Sequence, residues 1–272
     1  MNASIAQLVR RADPDRYLSA LFAPEAKRPL LHALYAFNIE IARVAETVRE
    51  PMMAEIRLEW WRETLEGARE GRPRNHDTAR ALADLFAAVD LPQDLFLQMI
   101  AARSFDSTAA VFGDRPAVEA YSDATSGNVM RLAALVLGHK DDGLARDAGI
   151  AYALAGLVRS VAFHRARHKL YLPQSLMRAV DLTPEQVFAG QGSEQAKAVV
   201  SQMALWARAH CGAAHRAWLA KDAVAAYLPA ALTPLYLRRA TKRWVDPLQD
   251  SVDIPIHRRQ VRLLSAAMRR RL

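Results

Sequence analysis

Cysteine is almost missing from this chain: Cys211 is the single one in 272 residues. That excludes an internal disulfide and a thiolate zinc cluster, and it fits a reducing compartment. Glycine, at 11, and proline, at 13, are too few for a fibrous or low-complexity protein, and 51% hydrophobic residues are too many for a disordered one. Long apolar runs are absent as well. The longest charge-free stretch is Ala223–Leu237, 15 residues carrying Pro229 and Pro234, short of the roughly 20 apolar residues that span a bilayer. Its Leu228, Leu232, Leu235 and Tyr236 suit either the core or a membrane surface. Its prolines, which would break a continuous interfacial helix, tip the balance only slightly toward the core. The first residues, Met1-Asn2-Ala3-Ser4-Ile5, lack the charged-then-apolar layout of an export signal. No stretch alternates with period two, so no sheet is expected. There is no Gly-x-Gly-x-x-Gly, phosphate loop, Gly-x-Ser-x-Gly elbow or His-Glu-x-x-His. Gly190-Gln191-Gly192 lacks the strand and third glycine of a dinucleotide site. A cytoplasmic, all-α, single domain covering residues 1–272 is what remains, with 190–272 the part least fixed by pattern.

What is present is helical periodicity. Leu30, Leu34, Phe37, Ile41, Val44 and Val48 recur at four- and three-residue steps and make one apolar stripe, ended by Pro51. A second helix runs from Pro51 to about Arg69, with Met52, Ile56, Trp60 and Leu65 as its apolar set. Residues 71–75 form a loop. Segments 76–89, 92–112, 115–138, 142–165, 193–220 and 257–270 also have helical spacing. The net charge of +8 is concentrated at the C-terminus, where Leu237–Leu272 holds ten Arg or Lys against three Asp. Such a segment is either a solvated helix end or a contact for anionic lipid or a partner. Nucleic acid does not fit, because the segment has one aromatic, Trp244, and no recognition motif.

Three clusters carry potential chemistry. His164 and His168 stand four apart, a spacing that suits a shared metal, but Arg165, Arg167 and Lys169 beside them favour an anion patch or a solvated helix end. Trp60 and Trp61 point about 100° apart on a helix, so at most one points squarely at the core. Tyr35, Asn38, Ala42 and Glu46 form a strip beside the apolar stripe that either lines a cavity or faces water.

Several segments in register resemble the squalene/phytoene synthase superfamily. They are Arg16-Tyr17-Leu18-Ser19-Ala20-Leu21-Phe22-Ala23-Pro24, Ala33-Leu34-Tyr35-Ala36-Phe37, Tyr121 with Ser126-Gly127-Asn128-Val129, and Arg159 with Arg167-x-Lys169-x-Tyr171-Leu172-Pro173. The resemblance covers about residues 10 to 190 well. It implies an all-α bundle of the isoprenoid-synthase type around a deep central cavity. Those enzymes join two prenyl diphosphates head to head. Mg²⁺ neutralises the leaving diphosphate and is held by two facing Asp-rich motifs, whose carboxylates lie one helical turn apart.

At the first motif stand Ala42, Arg43, Val44, Ala45 and Glu46, leaving one acid of three. At the second stand Ser160 and His164, leaving none, and Gly156 replaces the usual asparagine a turn earlier. The positive residues Arg159, Arg167 and Lys169 are kept, with Tyr171. A cavity lined by these cations and no acids would repel Mg²⁺, and no resident cofactor is then expected. This pattern resembles the branch of the mitochondrial complex I assembly factor and its bacterial relatives. Leu34–Glu40, Glu59–Leu65 and Arg159–Lys169 also look like that branch, and the short N-terminus without an Arg/Ser-rich leader points to its bacterial version.

Two functions therefore compete. The first is a catalytically degenerate binding or assembly protein, with respiratory complex subunits as partners, working at the cytoplasmic face of the inner membrane. It would hold an isoprenoid or anionic lipid against Tyr35, Asn38, Arg159, Arg167, Lys169 and Tyr171. The second is an active, Mg²⁺-dependent head-to-head prenyltransferase built on Glu46, with Glu40 or Asp123 as the further acid.

Overall fold

The computed structural model describes residues 3–48, 50–108 and 110–272. Among them the regular elements are all helical, with no strand. One buried cluster runs from Ile5 to Leu272. The first two helices, α1 (Ala3–Ala12) and α2 (Pro14–Ala20), meet at Asp13. Its carboxylate accepts from the Arg16 amide and Pro14 opens the helix, a standard way to satisfy free N–H groups. The expected stripe is real: Leu34, Phe37 and Ile41 of α3 (Arg28–Ala42) are buried, and after a turn at Arg43 it continues through Val44 of α4 (Val44–Thr47).

The second helix, α5 (Pro51–Arg69), has the expected bounds but not the expected face. Its core side is Ala54, Leu58, Trp61, Leu65 and Ala68. Met52 and Ile56 are 75% and 56% exposed, and Trp60 is half-buried against His76 and Trp61. The helix has two apolar faces, and the Met52–Ile56–Trp60 row is the outer one. Trp61 alone of the pair points into the core.

Next come α6 (Asp77–Ala88), α7 (Gln93–Arg103), α8 (Arg115–Ser122) and α9 (Asn128–Val136), the last two joined without a break by a π-helical turn, Asp123–Gly127. The helix expected over 92–112 stops at Arg103. The one expected over 142–165 is interrupted at Ser160, between α10 (Asp142–Arg159) and α11 (Val161–Arg165). Short helices α12 (Gln174–Arg178) and α13 (Pro184–Ala189) lead to α14 (Ser193–His215). The central helix is α10, packed along α14. Small residues (Ala148, Gly149, Ala151 and Ala155) let its neighbours approach. Gly149 lies against Gly127 so closely that an added Cβ would stand 2.4 Å from the Gly127 Cα.

Residues 223–233 are buried without interruption through α15 (Val224–Tyr227) and the following 3₁₀ turn. Of the two places open to the longest charge-free stretch, its first eleven residues thus take the core. It leads into α16 (Thr233–Ala240), and α17 (Ile256–Arg269) closes the fold. No described helix is long and apolar enough to cross a membrane.

Candidate functional site

A cavity of about 350 Å³ opens between α2, α3, α4, α10, α11 and the segment that follows it. One wall presents Asn38 and Ala42 from α3 and Glu46 from α4. The facing chain segment presents Gly156, Arg159, Ser160 and His164, then Arg167, Lys169 and Tyr171. Both stretches read as counterparts of Asp-rich motifs therefore reach one space. Two expected site residues do not. Tyr35 is fully buried a turn deeper, beneath the Arg16 guanidinium at 5.9 Å, and Arg43 is exposed outside. His164 and His168 share no helix face. His168 sits beyond the end of α11 with φ of 53° and packs on Phe188.

The cavity is not free of acids. Besides Glu46 it is lined by Asp13, Asp15 and Asp106, which corrects the expectation of an all-cationic wall. Those three are consumed by their neighbours. Asp106 accepts from the hydroxyls of Tyr121 at 2.8 Å and Tyr171 at 2.9 Å and from the Arg103 guanidinium at 3.1 Å. Asp15 accepts from Tyr236 at 2.6 Å, Tyr152 at 3.3 Å and Arg259 at 2.9 Å. Asp13 pairs with Arg16 at 2.6 Å, and Arg16 also donates to Ser126. Burial, and then the adjacent carboxylate, hold Tyr121 and Tyr171 beside Asp106, and Tyr152 and Tyr236 beside Asp15, far above the usual phenol range. The four hydroxyls stay protonated and donate.

The kept cations are differently placed. Arg159 lies over the Tyr236 ring at 4.1 Å, Arg167 over the Phe163 ring at 3.6 Å, and the Lys169 ammonium donates to the Thr108 carbonyl at 3.3 Å. None of the three pairs with a carboxylate among the described residues, so their charge is available to an anion. His164 packs on Tyr171 at 4.5 Å between ring centres. Burial first, and then Arg167, push its pKa down to about 4, against the opposing pull of Asp106. The ring is neutral at pH 7, and its Nδ1 is buried without a partner.

This donor set does not fit the magnesium cluster that the resemblance implies. Mg²⁺ takes several oxygen ligands, carboxylates foremost, and Glu46 is the one cavity carboxylate left without a bonded partner among the described residues. Opposite it stand a hydroxyl and a neutral imidazole. The further acids considered for an active enzyme are elsewhere. Asp123 is paired with Arg131 at 2.7 Å and does not line the cavity, nor does Glu40. Among the described residues no group of three or more His, Cys, Asp or Glu is placed to hold a metal.

Sequence reading missed Asp13, Asp15, Arg103, Asp106, Tyr152, Tyr236 and Arg259. The Asp13-Pro14 cap signal was legible. The others come from segments with no motif, joined only by the fold. The Ser126-Gly127-Asn128 motif, in contrast, acquires a physical reason. Ser126 accepts from Arg16, Gly127 admits α10, and the Asn128 amide donates to Gln98. The π-helical turn that produces this sits at the cavity, as such turns often do at functional sites.

The family model described as squalene/phytoene synthase matches residues 9–263. Among characterised proteins, the chain is 24% identical over 207 residues to NADH dehydrogenase (ubiquinone) complex I, assembly factor 6, of Homo sapiens, covering 75% of this chain and 62% of that protein. The Dictyostelium discoideum homolog is 24% identical over 243 residues, covering 86% and 68%. A 15-cis-phytoene synthase of Synechococcus elongatus is 26% identical over 202 residues, covering 68% and 64%. Among solved structures, a dehydrosqualene synthase in complex with ligand superposes with a TM-score of 0.81 at 18% identity, over 98% of this chain and 94% of that one. Squalene synthase HpnC from Alicyclobacillus acidocaldarius gives 0.71 at 18% identity, over 98% and 93%. The all-α fold read from the sequence is the fold these structures share.

Proposed function

The chain belongs to the squalene/phytoene synthase family, and from that premise we propose that it is a catalytically degenerate member, a binding and assembly protein for respiratory complex I components. The observation that carries this reading is the cavity's donor set. Both motif positions face the cavity, yet they bring one carboxylate, Glu46, and the other three acids are bound to Arg and Tyr donors. A site so built lacks the ligands to neutralise a departing diphosphate through Mg²⁺, and it keeps the cations that would hold an anionic headgroup. In this reading Arg159, Arg167 and Lys169 bind the charged end of an isoprenoid or anionic lipid, with Asn38 and Tyr171 beside it. The complex I partner rests on the names of the relatives, of which the chain spans 62% of the length in the human case. The place of action is the cytoplasmic face of the membrane that holds the complex.

The competing reading, an active head-to-head prenyltransferase, is tested directly. Purified protein is given farnesyl or geranylgeranyl diphosphate with Mg²⁺ and a reductant, and released diphosphate is followed beside an authentic synthase. No release above blank is expected. Release that chelation abolishes would overturn the degenerate reading. The assembly role has its own check: deletion of the gene should deplete assembled complex I on native gels, and intact assembly would remove that partner.

A further inference from the structure

The outer face of α17 is the most distinctive surface the central cavity does not use. Its inner side is fixed. Leu263 and Ala266 are buried, Arg259 donates to Asp15, and the Arg262 Nε donates to the Ala231 carbonyl at 2.9 Å. Its outer side is apolar: Val261, Leu264 and Met268 are 68%, 51% and 77% exposed. At helical spacing the three lie within about 60° of one another around the axis. Exposed Arg258 and Arg269 stand beside this stripe, and the helix contains no acid. At its C-terminal end Trp218 is exposed beneath the guanidiniums of Arg270 at 4.6 Å and Arg271 at 5.6 Å. The Leu219 amide, donating to the Arg270 carbonyl, holds that indole against the helix end.

We propose that α17, with Trp218, is a docking surface for an anionic lipid bilayer, lying in the interface with Val261, Leu264 and Met268 immersed and the arginines at the headgroups. Charge complementarity selects this occupant. An apolar stripe with arginines along one side, the uncharged Gln260 along the other, no acid on the helix and a tryptophan at its end has the composition of an interfacial helix. The outer row of α5 is the internal contrast. Met52, Met53 and Ile56 are also exposed, but Glu50 and Glu55 border them against a single arginine, Arg57, that is unpaired among the described residues. Glu59 and Glu63 are paired with Arg62 and Arg74, so that face has no cationic excess to offer an anionic surface. Because Arg259 reaches the cavity from the opposite side of α17, docking would place the cavity one helix thickness from the lipid. The proposal stands whether or not the cavity turns over a substrate.

The test is sedimentation of the full chain with vesicles of pure phosphatidylcholine and of phosphatidylcholine containing roughly one-third phosphatidylglycerol. Binding to the anionic vesicles alone, lost at high salt, is expected. Arg258→Gln with Arg269→Gln should weaken it about thirtyfold, and Leu264→Ser with Met268→Ser roughly a hundredfold. Met53→Ser with Ile56→Ser on α5 should leave it unchanged. All these side chains are exposed, and unchanged circular dichroism confirms that each variant is folded. Absence of vesicle binding, equal binding to neutral vesicles, or binding untouched by the α17 variants would overturn the proposal. So would a dimer in sedimentation velocity that the same variants dissolve without any vesicle binding, which would assign the face to a second copy.

Discussion

Asp15 and Asp106 line one cavity and accept from the same set of donors, two tyrosine hydroxyls and a guanidinium, but their partners come from very different distances along the chain. Those of Asp106 (Arg103, Tyr121 and Tyr171) lie 3, 15 and 65 residues away. Those of Asp15 (Tyr152, Tyr236 and Arg259) lie 137, 221 and 244 residues away. The first is a local knot surrounded by the Phe105, Phe112, Tyr121 and Tyr171 rings. The second ties α2 to α10, α16 and α17 and thus closes the N-terminal part of the chain onto the C-terminal part. The same chemistry serves two purposes: one carboxylate shapes the cavity beside the kept cations, and the other fixes which helices surround it.

The largest effect should separate these roles. Asp15→Ala leaves Arg259 and two buried hydroxyls without an acceptor, and breaking a buried ion pair from one side costs about 3–5 kcal/mol. We expect the upper end of that range in urea unfolding, together with early hydrogen exchange throughout α17. Asp106→Ala should fall at the lower end, because the ring cluster still packs its donors, and α17 should stay protected. If Asp106→Ala opened α17 equally, the distinction between lock and local knot would be wrong. Single hydroxyl deletions sharpen the comparison at lower cost. Tyr236→Phe and Tyr171→Phe each remove one hydrogen bond to a buried carboxylate, about 2 kcal/mol in either hub. The exchange signature at α17 should appear for Tyr236→Phe alone.

The contrast also explains what was legible in the sequence. Helices were, because a stripe such as Leu34-Phe37-Ile41-Val44 is a local signal. So was the segment from Arg159 to Tyr171, because motif register carries several cavity residues at once. Faces were harder. On α5 the Met52-Ile56-Trp60 row has the same periodicity as the buried Ala54-Leu58-Trp61-Leu65 row, and periodicity does not say which row meets the core. The Asp15 hub was out of reach, since nothing within a few residues of Asp15, Tyr236 or Arg259 announces a partner more than two hundred positions away. Absence of acids from the motif register does not mean absence of acids from the cavity, because Asp13, Asp15 and Asp106 enter from outside the motifs.

The smallest expected effect belongs to the Asp106 side alone, through His164. Its pKa is about 4 in the fold against 6.5 in a free chain, because burial disfavours the charged ring. Between those values the unfolded chain takes up a proton that the folded chain refuses. Stability contributed by the neutral ring is therefore complete above about pH 6.5 and is lost as the pH falls toward 4. Moving from pH 7 to pH 5.5 should cost about 1 kcal/mol from this group. His164→Gln, which keeps a polar side chain without a titrating ring, should flatten that part of the stability profile. Tyr236→Phe on the other hub should lower the whole profile and leave its slope untouched. The measurement is a set of urea unfolding curves for the three proteins across that pH window. An equal slope for wild type and His164→Gln would mean that the ring titrates normally and is hydrated where it meets Tyr171.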